Sequence, residues 1–227
     1  MSNACKKINF TAPASHIYNP LEYAADSHQT YLRRFGNNEK KAVYLGMNPG
    51  PWGMAQTGVP FGEVNAVKNW MGIEEKVGSP KNPHPMRKVD GFSCHRSEVS
   101  GKRLWAMFGE KNTAEEFFTD NFVLNYCPLL FIRGVDGKCN NITPDKLKKE
   151  EQELLYKACD KFLIKVVDLL SPKYLIGVGA FAKEKLESNF DNQKYIIGKI
   201  SHPSPANPKS NKNYNELARK EINEIIK

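Results

Sequence analysis

The chain has 227 residues, 40% of them hydrophobic and 26% charged, and its formal net charge is +8. This length allows one domain with a sizeable core. No apolar run reaches the about 18 residues that suggest a transmembrane helix, so no membrane segment is predicted. The N-terminus lacks the basic and apolar segments of a secretory signal. The excess of lysine and arginine favours a polyanionic partner without naming one.

The cysteines are predicted to be reduced and mostly buried. Their number is odd and no C-x-x-C pair occurs, so neither a disulfide framework nor a zinc site is indicated. An iron–sulfur cluster on the last four is an alternative by number alone, although close pairs are missing. We therefore expect no metal and no cofactor. The cysteines are Cys5, Cys94, Cys127, Cys139 and Cys159.

Short apolar runs predict the strands, whereas caps and apolar periodicity predict the helices. The pairs Asn19-Pro20 and Thr143-Pro144 each place a capping side chain before a proline in a first helical turn. In chain order we predict a helix over 20–35, a strand over 42–47, a loop over 48–62, a helix from about Glu63, an irregular segment over 78–95, helices over 97–109 and 113–119, a strand over 122–126, a long helix after Thr143, a strand over 174–178, a helix over 180–190, a strand over 195–200 and a last helix from about 213.

This alternation predicts an α/β fold: a single three-layer α/β/α domain with a central, mostly parallel sheet. The domain is expected to span residues 19–227, and residues 1–18 are interpreted as an N-terminal extension. Glu63 and Glu98 are interpreted as residues that cap or open helices. The long helix is expected to bury one apolar stripe. That stripe includes Leu147, Leu154, Leu155, Ala158, Phe162 and Val166.

Two loops at predicted strand ends carry the most informative side chains. Asn48 lies in a loop over residues 46–53, and His202 begins the segment 202–205. In an α/β sheet such loops meet at the carboxyl edge, where ligands bind. The first loop is neither a Walker A motif nor G-x-G-x-x-G, so a nucleotide cofactor is not indicated. An amide and an imidazole are weak nucleophiles, and the pair suits attack by water on a substrate whose leaving group departs as an anion.

Both loops resemble motifs of the single-strand-selective monofunctional uracil-DNA glycosylases. Residues 46–63 (GMNPGPWGMAQTGVPFGE) are similar to the first motif, and residues 202–208 (HPSPANP) to the second. Shorter similarities lie at 97–101 (SEVSG) and 125–131 (NYCPLLF). The similar segments follow the family's order, and the resemblance extends from about residue 20 to the C-terminus.

The resemblance implies a uracil-DNA glycosylase-like fold and a role for each matching residue. Asn48 matches the residue that positions the hydrolytic water, and His202 the one that stabilises the departing uracil anion. Phe61 matches the ring that stacks on the base, and Asn125 the amide that reads its pairing edge. Gly50 stands where the wider superfamily has a tyrosine that blocks C5 substituents. The further substrate-binding residues that the match implies are Met47 and Met54.

The second motif implies contacts to DNA, with one departure from the family. The family usually has an arginine where this chain has Ala206, so the side chain that would fill the gap left by a flipped base is missing. Trp52 replaces a common phenylalanine in the first motif. The residues expected at the DNA are Ser204, Pro205, Ala206, Asn207, Lys209 and Lys212.

The implied function is that of a monofunctional DNA glycosylase, which removes uracil, and C5-modified uracils such as 5-hydroxymethyluracil, to initiate base excision repair. No lysine lies inside either motif to form a Schiff base. The alternatives are a mismatch-specific uracil/thymine glycosylase, whose second motif lacks the histidine, and a catalytically idle reader of damaged DNA. The expected partner is single-stranded or duplex DNA. The protein is expected to act as a monomer, at the nucleoid in the cytoplasm of a bacterium or in the nucleus of a eukaryote.

Overall fold

The computed structural model describes residues 1–135 and 138–227. The described residues form two sheets, one parallel and one antiparallel. The strands are β1 (His16–Tyr18), β2 (Ala42–Gly46), β3 (Asn121–Asn125), β4 (Leu130–Val135), β5 (Lys138–Ile142), β6 (Tyr174–Val178) and β7 (Ile196–Ile200). The helices are α1 (Ser2–Cys5), α2 (Pro20–Tyr23), α3 (Ala25–Phe35), α4 (Met54–Thr57), α5 (Val99–Gly109), α6 (Ala114–Asp120), α7 (Lys149–Leu170), α8 (Ala180–Asn189) and α9 (Tyr214–Ile225).

The parallel sheet has the strand order β3-β2-β6-β7. Every residue of β2 and of β6 is buried, as expected for central strands that helices cover on both faces. This confirms the predicted α/β architecture. After β2 the chain adds β3 on one side of β2 and later adds β6 on the other side. The direction in which strands are added therefore reverses at β2.

Strand register brings the ends of β2 and β3 level with each other. Gly46, the last residue of β2, pairs with Asn125, the last residue of β3. The pairing continues beyond both strands, because the amides of Tyr126 and Cys127 donate to the carbonyls of Gly46 and Met47 at 2.9 and 2.8 Å. The loop that follows β2 is therefore fixed in position beside Asn125.

The predicted helix over residues 20–35 is two helices, α2 and α3. Asn19 caps the first with its side chain, and Pro20 is in the first turn as predicted. The chain turns at Ala24, whose φ of −115° is not helical. The carbonyl of Tyr23 accepts a hydrogen bond from the amide of Gly78 at 2.7 Å, and its hydroxyl donates to the carbonyl of Ala55 at 2.7 Å. These tertiary bonds replace the continuation of one helix.

The predicted helix from about Glu63 is present but short. Residues 64–65 are α-helical, with the Val67 amide donating to the Glu63 carbonyl at 3.0 Å, and Ala66–Trp70 form a wider turn closed by a hydrogen bond from the Met71 amide to the Ala66 carbonyl. The long helix α7 begins at Lys149 rather than after Thr143, because Pro144–Lys146 form a separate short turn.

The buried stripe of α7 also differs from the prediction. Leu155 is buried as expected, but Leu154 is 57% exposed. The apolar residues come in adjacent pairs, and the second member of each pair faces the core. Leu147 is also buried as predicted, and Ala158, Phe162 and Val166 are half-buried. The helix buries further residues that the prediction omits, which are Cys159, Leu163, Val167 and Leu170.

The antiparallel sheet has the order β1-β4-β5, which the sequence pattern does not predict. β1 lies within residues 1–18, and its residue His16 pairs with Ile132. Thr11 donates to the Glu151 carboxylate of α7 through its amide at 2.8 Å and its hydroxyl at 2.6 Å. The segment interpreted as an extension therefore packs against the rest of the fold. The irregular segment 78–95 is irregular as predicted, apart from a short turn at Gly91–Ser93.

Candidate active site

The loops after β2 and β7 and the last residue of β3 meet at a cavity of about 400 Å³ at the carboxyl edge of the parallel sheet. This position, beside the switch in strand order, is where α/β sheets bind ligands. One wall comes from the end of β5 and another from the start of α5. The lining residues are Met47, Asn48, Pro49, Gly50, Pro51, Phe61, Glu98, Ser100, Asn125, Asn141, Ile142, Thr143, His202 and Ser204.

Asn48 is held by one end of its amide. Its Nδ2 donates to the Leu129 carbonyl at 3.2 Å. Because an amide has a donor end and an acceptor end, this bond leaves Oδ1 as the acceptor for another group. A half-buried carbonyl oxygen in this cavity can accept a hydrogen bond from a water molecule.

Asn125 is 6% exposed, and its Nδ2 donates to the Met54 sulfur at 3.3 Å. A thioether is a weak acceptor, so a ligand carbonyl is a stronger partner for this amide. Gly46 lets the amide and the Phe61 ring come together, since a Cβ on Gly46 would overlap Asn125 Oδ1 and lie 2.5 Å from the ring. Met54 thus contacts Asn125, whereas Met47 and Gly50 line the cavity directly.

Phe61 lies at the cavity with a φ of +51°, a conformation that bulky residues rarely adopt. Its carbonyl accepts hydrogen bonds from Trp105 Nε1 at 2.9 Å and from the Glu63 amide at 2.7 Å. A side chain on Gly101 would overlap the same carbonyl. The surrounding contacts therefore stabilise a strained backbone that holds an aromatic face in the cavity.

The tautomer of the His202 imidazole is set by a hydrogen bond to its Nδ1 atom. The Ser204 amide donates to Nδ1 at 3.1 Å, so Nδ1 is unprotonated and the hydrogen lies on Nε2. Burial lowers the pKa of His202 below its usual value. The imidazole is therefore neutral at pH 7 and offers an N–H donor. The centroids of the His202 and Phe61 rings are 6.3 Å apart.

The segment after His202 is held from both sides. The His202 carbonyl accepts from Asn207 Nδ2 at 3.0 Å and from Ser210 Oγ at 2.7 Å. Arg103 of α5 donates to the Pro203 carbonyl at 2.9 Å. The Asn207 side chain is thus used to shape the loop.

The remaining residues expected at the DNA lie around this segment. Ser204 lines the cavity, and its hydroxyl accepts from the Ala206 amide at 3.2 Å. Exposed residues form the outer surface beside it. They are Pro205, Ala206, Lys209 and Lys212.

The interpretation of Glu63 is confirmed, and that of Glu98 is confirmed in position, since Glu98 is the N-cap residue of α5. The Glu63 carboxylate accepts from the Ala66 amide at 2.9 Å and so opens the turn that follows. Glu98 precedes α5 but makes no capping hydrogen bond with its side chain. Its carboxyl lines the cavity instead, because Gly50 and Gly53 leave room for it there.

Several residues of the site are not predicted from the sequence. Asn141, Ile142 and Thr143 reach the cavity only because β5 pairs with β4, and the local pattern around them carries no signal of that pairing. Trp105 and Arg103 look like ordinary helical residues, although they hold Phe61 and the loop after His202.

The cysteines are free and buried, as predicted. Within the described parts of the chain, no group of three or more histidine, cysteine, aspartate or glutamate side chains could hold a metal ion. Nor does any helix of those parts have the length and apolarity to cross a membrane.

Comparison with known proteins places this chain in a family. Residues 33–226 match the uracil DNA glycosylase superfamily. The single-strand selective monofunctional uracil-DNA glycosylase of Rattus norvegicus is 41% identical over 223 residues, which cover 96% of this chain and 79% of the rat protein. The protein of the same name from Bos taurus is 38% identical over 228 residues, covering 99% of this chain and 83% of the bovine protein. The chain belongs to this glycosylase family.

A solved structure shows the same fold at lower sequence similarity. Wild-type SMUG2 of Pedobacter heparinus aligns with a TM-score of 0.65 and 20% identity, over 98% of this chain and 92% of that one. This confirms the predicted uracil-DNA glycosylase-like fold.

Proposed function

We propose that this monofunctional DNA N-glycosylase hydrolyses the bond between uracil and deoxyribose in the cavity between Asn48, Asn125, Phe61 and His202. The observation that carries the proposal is the neutral His202, whose N–H donor is fixed beside an aromatic face and an amide. Uracil excision agrees with the family to which the chain belongs. Release of a damaged base in this way initiates base excision repair.

Asn125 and Phe61 would select the base once it has left the DNA stack. The Asn125 amide offers a donor for the uracil O4 and an acceptor for N3–H, while the Phe61 ring packs on the base face. Cytosine has an amino group and a bare ring nitrogen at these positions, so it would leave buried polar groups unpaired. The weak bond to the Met54 sulfur is the one that a uracil carbonyl would replace.

His202 would stabilise the leaving group. As the bond between C1′ and N1 breaks, its electron pair moves onto uracil and spreads over the carbonyl oxygens. A neutral Nε2–H donor directed at O2 stabilises this charge most strongly near the transition state, which lowers the barrier. A neutral imidazole keeps its hydrogen through the reaction, so the base departs as an anion.

Asn48 would position the water that completes the reaction. Its Oδ1 accepts a hydrogen bond from a water molecule beside C1′, and positioning contributes because the sugar is already oxocarbenium-like. The water oxygen bonds to C1′ and releases one proton to solvent, while uracil takes up a proton after release. The residues that line the cavity within the described chain include no lysine, which supports water as the nucleophile.

Finer properties belong to the same proposal. Gly50 leaves the C5 side of the base open, so C5-modified uracils such as 5-hydroxymethyluracil are substrates as well as uracil. The small Ala206 favours single-stranded over paired DNA. The protein acts as a monomer, at the nucleoid in the cytoplasm of a bacterium or in the nucleus of a eukaryote.

The test is base release from oligonucleotides that each hold one uracil, in single strands and in duplexes, followed by alkaline cleavage of the abasic site. We expect the wild type to cut uracil strands and Asn48→Ala to bind them with little cleavage. Binding without cleavage by the wild type would instead establish an idle reader. Release of thymine from G·T pairs, with little release of uracil from single strands, would favour a mismatch-specific enzyme.

A further inference from the structure

The side chain of Glu98 brings a carboxyl group to the candidate active site, and the proposed mechanism gives this group no role. It lies against the backbone of the loop after β2, where a Cβ on Gly50 would be 2.7 Å from Glu98 Oε1, and one on Gly53 would overlap Oε2. Within the described chain, neither carboxyl oxygen of Glu98 accepts a hydrogen bond from a protein group. The carboxyl is therefore available to a ligand.

Glu98 places an acidic group inside a cavity that is expected to bind DNA, and a second carboxylate lies nearby. Burial, followed by the nearby Glu63 carboxylate, raises the pKa of Glu98 to about 7. Glu63 is committed elsewhere, since its oxygens accept from Ser97 Oγ at 2.8 Å and from the Ala66 amide at 2.9 Å. The neutral His202 and Glu98 are the only titratable side chains among the described residues that line the cavity. Glu98 is therefore a group of the cavity whose charge changes near neutral pH.

The edge of the base that faces Glu98 follows from the other contacts. In the proposed complex, N1 carries the sugar, O2 faces His202, and N3 with O4 faces Asn125. The remaining edge, C5 with C6, faces the wall formed by Gly50 and Glu98. Because Gly50 has no side chain, the first side-chain group beyond C5 on that wall is the Glu98 carboxyl.

We propose that Glu98 is a specificity-determining residue, which accepts a hydrogen bond from a hydroxyl group on the C5 substituent of the flipped pyrimidine. The inference rests on the proposed function, because it needs uracil bound with the edges assigned above. The ionised carboxylate is the stronger acceptor. It also repels a C5 substituent that is itself a carboxylate.

The experiment compares single-turnover release of 5-hydroxymethyluracil, uracil and 5-carboxyuracil from the same single strand. For the wild type, the ratio of the 5-hydroxymethyluracil rate to the uracil rate should rise roughly tenfold between about pH 5.5 and 8.5, the scale of one charge-assisted hydrogen bond. Glu98→Met should lower the ratio roughly tenfold at the higher pH. Glu98→Gln should make the ratio independent of pH and should release 5-carboxyuracil faster than the wild type does.

Glu63→Gln is the matched control, since it removes a neighbouring charge and keeps the Glu98 acceptor. It should retain the high ratio and move its rise to lower pH. A wild-type ratio that does not change with pH, and that Glu98→Met leaves intact, would overturn the proposal. If Glu98→Met lowered the release rates of all three bases equally, the proposal would also be overturned, because Glu98 would then act on the water or the sugar. A wild type that releases no uracil would refute the proposed function itself.

Discussion

A single backbone hydrogen bond defines the chemistry that His202 can perform. The Ser204 amide occupies Nδ1, so the imidazole acts as a donor through Nε2 and cannot act as a base there. His202→Ala should slow base release by roughly 10²–10³, the scale of losing one donor to a developing anion. Affinity for uracil-containing DNA should change little, because the anion exists only near the transition state.

Single-turnover rates and equilibrium binding on one oligonucleotide separate these two effects. His202→Asn is measured beside His202→Ala, because asparagine keeps a polar side chain but is shorter than histidine. A variant that binds poorly but cleaves normally at saturation would give His202 a binding role instead.

The Glu98 carboxyl also lowers stability in a pH-dependent way. Its pKa rises on folding to about 7 from an ordinary value of 4.5, so the folded state holds the proton more tightly. The stability that protonation provides is present below the lower value and is lost as the pH rises through the higher one. At about pH 8.5, Glu98→Gln should therefore increase the free energy of unfolding by on the order of 2 kcal/mol.

Urea denaturation at two pH values tests this expectation. The advantage of Glu98→Gln should shrink toward about pH 5, where the wild-type carboxyl is largely protonated. An identical advantage at both pH values would mean that packing, rather than charge, causes the change.

At the scale of elements, the loop after β7 carries only the methyl group of Ala206 at the position expected to fill the space of a flipped base. Ala206 is exposed beside the cavity. Unstacking a paired base costs a few kcal/mol, and least when the strand is already single. Ala206→Arg should therefore raise activity on a U·A duplex more than on a single strand. Rates on both substrates at two salt concentrations separate insertion from simple charge, whose effect fades with salt.

Ala206→Lys is the control for Ala206→Arg, since it adds the same charge on a thinner side chain. Equal stimulation of duplex and single strand by arginine would mean that the new group contacts phosphate only. Equal wild-type rates on both substrates would show that another residue already fills the gap.

Elements whose determinants are local could be predicted from the sequence. The parallel strands follow from short apolar runs, and Asn48 and His202 stand out because each follows such a strand in a proline-rich motif. The small antiparallel sheet escapes prediction because residue 16 pairs with residue 132, and neither carries a signal of the other. The sequence pattern places Glu98 directly before a helix but does not locate its carboxyl, because the absence of side chains at Gly50 and Gly53 decides where that carboxyl lies.

On the scale of the whole molecule, residues 1–18 are part of the packed fold. Tyr18 is 1% exposed, and its hydroxyl donates to the Arg87 carbonyl at 2.8 Å and accepts from the His84 amide at 2.7 Å. Deletion of residues 1–18 should lower the free energy of unfolding by about 3 kcal/mol or more, the scale of removing one buried aromatic side chain. Activity should fall as well, since β1 supports β4 and, through it, the β5 wall of the cavity.

Thermal unfolding and uracil release by the truncated chain test this prediction. Tyr18→Phe is the control, because it keeps the ring and removes only the hydroxyl, so its loss should be smaller. A truncated chain with unchanged melting temperature would make residues 1–18 a dispensable extension.

Helix α5 gives the cavity a common support on one side. It holds the Phe61 carbonyl through Trp105, it holds the loop after His202 through Arg103, and it begins directly after Glu98. Asn48 and Asn125, by contrast, are fixed to the ends of β2 and β3. The width of the pocket between these two sides is therefore set by the separation between a helix and a sheet edge. Substitutions on the far side of α5 can adjust which bases fit while every residue that touches the base stays the same.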